Sequence, residues 1–305
     1  MDHRSLVKAV FTGTVACFVF MTVILMIFTP LPLIALGLGS GMTAALLCGA
    51  VFFVLTALLS GFGPAISGGL VFVVPALWLV HLATQTYEKE DGTRAFYPAD
   101  RLFYWTLGMA ALATIVFFAA QSGSPGGLPG VLSRSLAEDR ELLEVMSSFT
   151  GAPIHENQLA VMGLTFVIIT PTFWAATMTV CLILAQFFNQ RYRLNLRPTP
   201  EYSRFTLPSS FEIIVALGIL LSFILSGWPS ALVSALLGLL LFAFFLLGLA
   251  TIHVVSRRSE QRSLLLALVY FLIFLFSYAY FLVSILGILE SRFGLRRRFG
   301  GTNTP

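Results

Sequence analysis

The chain has 305 residues, 57% of them apolar and 10% charged, with a formal net charge of +4 and a mean hydropathy of +0.90. A soluble domain carries about 25% charged residues, so water is excluded as the main solvent. The arginines are scattered through short connections without clustered base-reading or stacking groups, which excludes nucleic-acid binding.

Charge-free stretches cover residues 9–87, 102–133, 157–190, 213–256 and 263–289. Each can hold at least one span, because a helix crosses the hydrocarbon in about 20 residues. Cys17, Cys48 and Cys181 lie far apart inside these stretches, a pattern that offers neither a zinc site nor a disulfide framework. They are read as packing or lipid-facing residues, and no cofactor is expected.

The N-terminus begins basic and runs into an apolar stretch as long as a full span, so it is read as an uncleaved first helix and not a signal peptide. Thr14 is wrong for the first position of a lipoprotein cleavage site at Cys17. Breaks at Pro30, Pro32 and around Gly61 to Pro64 divide the first blank into spans near 8–28, 33–60 and 64–83. The middle one is long for a single crossing, and Pro30 to Gly39 is the candidate for a broken or re-entrant segment. A fourth span near 102–120 follows, with Asp100 as its expected N-cap.

The connection 121–156 contains Ser135 and Glu138 at capping-box spacing. Beyond them Leu142, Val145, Met146 and Phe149 repeat at helical spacing, which predicts a short amphipathic helix at the interface or on the bundle. Spans near 158–187, 211–226, 229–254 and 263–288 complete the chain. Ser209 and Glu212 are expected to cap the sixth, Gly227-Trp228-Pro229 to form an interfacial turn, and 291–305 to be a basic tail. The fold class is all-α, a polytopic transmembrane bundle of about eight spans in one domain, 1–290. Strict alternation of eight spans with the N-terminus inside would leave eight of the 18 Lys/Arg inside and ten outside, so this count fixes no orientation.

Within the spans the ionisable candidates are His81 and His253, both near predicted ends. Gly37-Leu38-Gly39-Ser40-Gly41 resembles the serine loop of rhomboid-type proteases but carries Leu38 where that loop has glycine. Gly37, Gly41, Ala45 and Gly49 instead predict a smooth helix face for close packing. No phosphate loop, metalloprotease motif or paired intramembrane acids appear, so no catalytic or metal site is expected and the chain is read as a non-enzyme. Missing intramembrane acids also speak against proton-driven pumping. If a ligand binds between helices, Trp78, His81, Trp174, His253, Tyr278 and Tyr280 are the candidates to line its site, with interfacial anchoring the competing role of the aromatics.

Three segments carry a family resemblance: Thr29 through Gly39, Gly248 through His253 and Leu286 through Arg296. They resemble the YybS-like family of bacterial membrane proteins, domain of unknown function 2232, a family with no established activity. Its last segment commonly has Asp where this chain has Glu290. The family is distantly similar to substrate-binding subunits of energy-coupling-factor transporters and to MreD-like cell-shape proteins. The first likeness implies a multi-pass bacterial inner-membrane component that binds a small metabolite and relies on a partner for energy, with Ala9 and Gly13 on the first helix available to dock a coupling subunit. The second implies an envelope scaffold without a pocket.

Overall fold

The computed structural model describes residues 3–22, 24–88, 92–200, 205–276 and 278–299. Six helical stretches among them are long and apolar enough to cross a membrane: His3–Met21, Met42–Ser60, Phe62–Thr84, Ala99–Ala120, Glu156–Arg191 and Trp228–Arg258. Shorter apolar helices cover Met26–Ser40, Ser210–Ile224 and Arg262–Leu275. Where the sequence suggests one domain, the chain forms two compact units, Met1–Met109 with Trp174–Pro200 and Ala110–Phe173 with Glu201–Pro305.

The first unit begins with α1 (His3–Met21), a 3-10 turn at Met26–Phe28, α2 (Pro30–Ser40) and α3 (Met42–Ser60). Pro30 opens α2, where its missing N–H removes no helical bond. The expected single span 33–60 is corrected to a helical hairpin. Gly41 has φ +90°, a conformation only glycine takes without a steric cost, and it reverses the chain. The two arms then close on small residues. A Cβ on Gly37 would come within 3.1 Å of that of Ala45, and one on Gly49 within 3.7 Å of Leu33. The predicted stripe Gly37, Gly41, Ala45, Gly49 is therefore not one helix face, since Gly41 is the turn itself.

Helix α3 runs parallel to α1, displaced by 39 positions: the Thr56 hydroxyl donates to Cys17 Sγ at 3.5 Å and the Ser60 hydroxyl to Met21 Sδ at 3.0 Å. Ala9, Gly13, Ala16 and Cys17 are buried in α1, and a Cβ on Gly13 would strike the Cys48 carbonyl and Val51. The small face expected to receive a coupling partner is thus occupied by α3. Gly61, φ +91°, turns the chain into α4 (Phe62–Gly68), a π-turn at Gly69–Val73 and α5 (Val74–Thr84). These descend along α3, with Gly68 against Phe52 and Gly49 against Val73. A small hairpin follows, β1 (Thr86–Glu88) antiparallel to β2 (Arg94–Phe96). All three cysteines are buried.

Helices α6 (Ala99–Ala120) and α9 (Glu156–Arg191) contribute to both units. Asp100 lies inside the first turn of α6 and accepts from the adjacent Arg101 N–H at 3.0 Å, so it is not the expected N-cap. Between these helices stand α7 (Gly127–Glu138) and α8 (Arg140–Thr150). Ser135 and Glu138 fall in the last turns of α7. The cap is Asp139, whose carboxylate accepts from the Leu142 N–H at 3.0 Å. The amphipathic helix α8 buries none of its residues.

The second unit continues with α10 (Ser210–Ile224), α11 (Trp228–Val255), a 3-10 turn at Ser256–Arg258, α12 (Arg262–Leu275), α13 (Tyr278–Phe293) and α14 (Leu295–Phe299). Ser209 occupies the N-cap of α10, but its side chain makes no capping bond. The expected span 263–288 is corrected to two helices broken at Phe276. Tyr280 donates to the Gly238 carbonyl at 3.3 Å and Ser284 to the Leu241 carbonyl at 3.1 Å. A Cβ on Gly287 would overlap the Phe244 carbonyl, and one on Gly248 the Val283 carbonyl. Partners on both helices advance together, so α13 runs parallel to α11 with Gly287 beside Gly248, again 39 positions apart. Both units use one device: a long helix, a short returning helix, and a third helix laid parallel on the first through small residues.

Candidate functional site

Among the described residues, two places gather polar groups against apolar helices. The first lies where α2, α5 and α9 end in the first unit. Asn189, 5% exposed, donates to the Ala35 carbonyl at 2.8 Å, and the Leu196 N–H donates to the Leu38 carbonyl at 3.1 Å. Arg197, 7% exposed, reaches the Ala83 carbonyl at 3.3 Å and the Tyr97 carbonyl at 3.3 Å, while its own carbonyl accepts from Gln186 and Asn195. The last carbonyls of a helix have no intrahelical donor and carry the negative end of its dipole. A guanidinium at the end of α5 answers both needs. Chemically the arrangement is a latch that binds segment 189–197 to three helix ends.

Trp78 and His81 stand on α5 beside this latch. The His81 Nε2 and Gln85 Nε2 atoms are 2.8 Å apart, and the Trp78 ring meets His81 at 5.9 Å and Trp105 edge-on at 5.4 Å. Trp105 donates to the Tyr97 hydroxyl at 3.0 Å. Trp78 and Trp105 remain about two-fifths exposed, the arrangement of an aromatic belt with apolar rings and polar tips. Trp174 donates to the Val71 carbonyl at 3.0 Å, in the π-turn. Ser40 closes α2 at an exposed position.

The second place is a groove of about 410 Å³ in the second unit, lined by α7, α9 and the start of α11. Ser133, Ser230 and Ser234 supply hydroxyls, Trp228 an aromatic wall, and Ala160 and Leu164 the apolar side. Close approach of its walls depends on glycine: a Cβ on Gly163 would press on the Pro129 carbonyl at 2.9 Å, and one on Gly127 on Trp228 at 2.6 Å. None of the six residues proposed from sequence lines it. His253 pairs with the Tyr270 hydroxyl at 2.7 Å. Tyr280 stacks on Phe245 with centroids 5.0 Å apart, and Tyr278 is 79% exposed.

Sequence reading missed Arg197 and Asn189 because it treated 191–204 only as topogenic charge. The available signal was Gln186 and Asn189, uncharged polar residues at the end of a long apolar helix. The groove serines carried none, since each stands in an ordinary small-residue context.

The family motifs now have places. Gly248 through His253 and Leu286 through Arg296 meet each other in the α11–α13 pair, while Thr29 through Gly39 forms α2 and its latch. Glu290, 5% exposed, accepts from the Arg296 N–H at 2.8 Å and from Arg296 Nε at 2.7 Å. It thereby caps α14 after the turn at Gly294, φ +61°. The fold defines a multi-pass helical membrane protein. The chain belongs to the family described as predicted membrane protein (DUF2232), whose pattern matches residues 6–291. No curated protein and no solved structure matches it.

Proposed function

We propose that this protein is a transport-related component of a bacterial inner membrane that binds a small molecule in the groove of the second unit and takes its energy from a membrane partner. The observation that carries the reading is the groove itself. Its volume, about 410 Å³, falls in the range of small-molecule sites, and an apolar lining with a few hydroxyls is how such sites orient a ligand. Discontinuous short helices such as α2 and α12 are a recurring feature of transporters. The charge-free stretches contain no acid to couple a proton gradient, which favours energy from a partner such as a coupling subunit.

The test is native mass spectrometry of the full chain purified in detergent. A small molecule retained by the native protein and lost from Ala160→Trp, which fills the groove at an exposed lining position, supports the reading. Equal retention by that variant, or a protein carrying lipid alone, overturns it. Co-purification of cell-wall or division proteins without a metabolite would support an envelope scaffold instead.

A further inference from the structure

The parallel register of α11 and α13 has a consequence for charge. With Gly287 beside Gly248, α14 arrives level with the turn Ser256–Arg258 and packs on α11. Two arginine groups separated by some forty residues of sequence therefore share one end of the second unit. Arg257, Arg258, Arg262, Arg292, Arg297 and Arg298 are exposed there. Glu260 is exposed among them, Glu290 is buried and held by Arg296, and His253 faces Tyr270. Among the described residues, six exposed guanidiniums thus meet one exposed carboxylate. The other end of α11 lies against α7, whose Arg134 donates to the Pro125 carbonyl at 2.9 Å.

Beside the arginines, α12 buries none of its residues, with Leu264 66%, Leu268 54%, Phe271 57% and Phe274 89% exposed. A ligand suited to this end has a negative head and an apolar body. We propose that this end lies at the cytoplasmic face and binds anionic phospholipid, the headgroup phosphate on the arginines and the acyl chains along α12. Guanidinium forks match phosphate oxygens in geometry and charge, and basic groups beside a membrane helix are drawn to anionic lipid. The segment between the two arginine groups then enters the bilayer as α12 and returns as α13. That arrangement satisfies both groups under the positive-inside rule, which a single crossing could not.

Two measurements test this. In the first, Arg258→Cys and Arg298→Cys variants of the full chain are treated with a membrane-impermeant maleimide in right-side-out and inverted vesicles. Both should label in inverted vesicles only, and labelling from opposite faces overturns the shared end. In the second, the detergent-purified chain is melted with added phosphatidylglycerol, phosphatidylcholine or inorganic phosphate. Phosphatidylglycerol alone should raise the midpoint, by about 3 °C or more. The separate variants Arg257→Gln/Arg258→Gln and Arg297→Gln/Arg298→Gln should melt like wild type without lipid and each lose at least half of that rise. A full rise in both variants, or an equal rise with phosphatidylcholine or phosphate, overturns the lipid assignment.

Discussion

Gly287→Ala should be among the most damaging single-methyl additions to this chain. The new Cβ would overlap the Phe244 carbonyl and lie 3.0 Å from the Gly248 nitrogen. Normal carbon–oxygen contact needs about 3.3 Å or more, so α11 and α13 must part by roughly 1–2 Å. Parting weakens the bonds from Ser284 to the Leu241 carbonyl and from Tyr280 to the Gly238 carbonyl, each worth about 1 kcal/mol. Overpacking adds about 1–3 kcal/mol. A total of about 2–4 kcal/mol lowers the melting midpoint by roughly 3–6 °C for a chain of this size. The assay is fluorescence-detected size exclusion of the detergent-solubilised protein after stepwise heating. Gly108→Ala is the control, because a Cβ there meets no atom within 4 Å and alanine favours a helix interior by about 0.5–1 kcal/mol. The double variant Gly248→Ala/Gly287→Ala should fall short of additivity, since helices already parted by one methyl have room for the second. If Gly287→Ala melts within about 2 °C of wild type, the close parallel crossing is wrong.

Other substitutions probe the remaining joints. Arg197→Gln removes the guanidinium from the Ala83 and Tyr97 carbonyls and should destabilise by about 1.5–3 kcal/mol, with limited proteolysis gaining cuts in 189–200. Glu290→Gln takes the carboxylate away from the Arg296 N–H and guanidinium and should cost about 1.5–3 kcal/mol, the worth of a charge-assisted hydrogen bond. Glu290→Asp, with the charge retained on a shorter arm, should recover part of it in the same melt. Asp139→Ala deletes the cap of α8 and should raise the rate of proteolysis across 138–156, with about 1 kcal/mol lost from the helix.

Composition alone determined that the chain lives in lipid, because charge-free stretches longer than a bilayer crossing have no stable aqueous form. Long apolar helices such as those at Ala99–Ala120, Glu156–Arg191 and Trp228–Arg258 were legible for the same reason. Hydropathy measures only transfer from water, and it reads the same whether a helix continues or folds back. The runs 33–60 and 263–288 therefore looked like single spans until the backbone at Gly41 and the break at Phe276 divided them. Capping residues were misplaced on similar grounds: Ser135 and Glu138 have the right spacing, but Asp139 is where the chain leaves one helix for the next. Tertiary structure alone decided that α3 lies parallel to α1 and α13 to α11. Those registers are set by carbonyls approaching Gly13, Gly248 and Gly287 across gaps that one methyl would fill, and such fit between distant surfaces leaves no periodic trace in a single sequence.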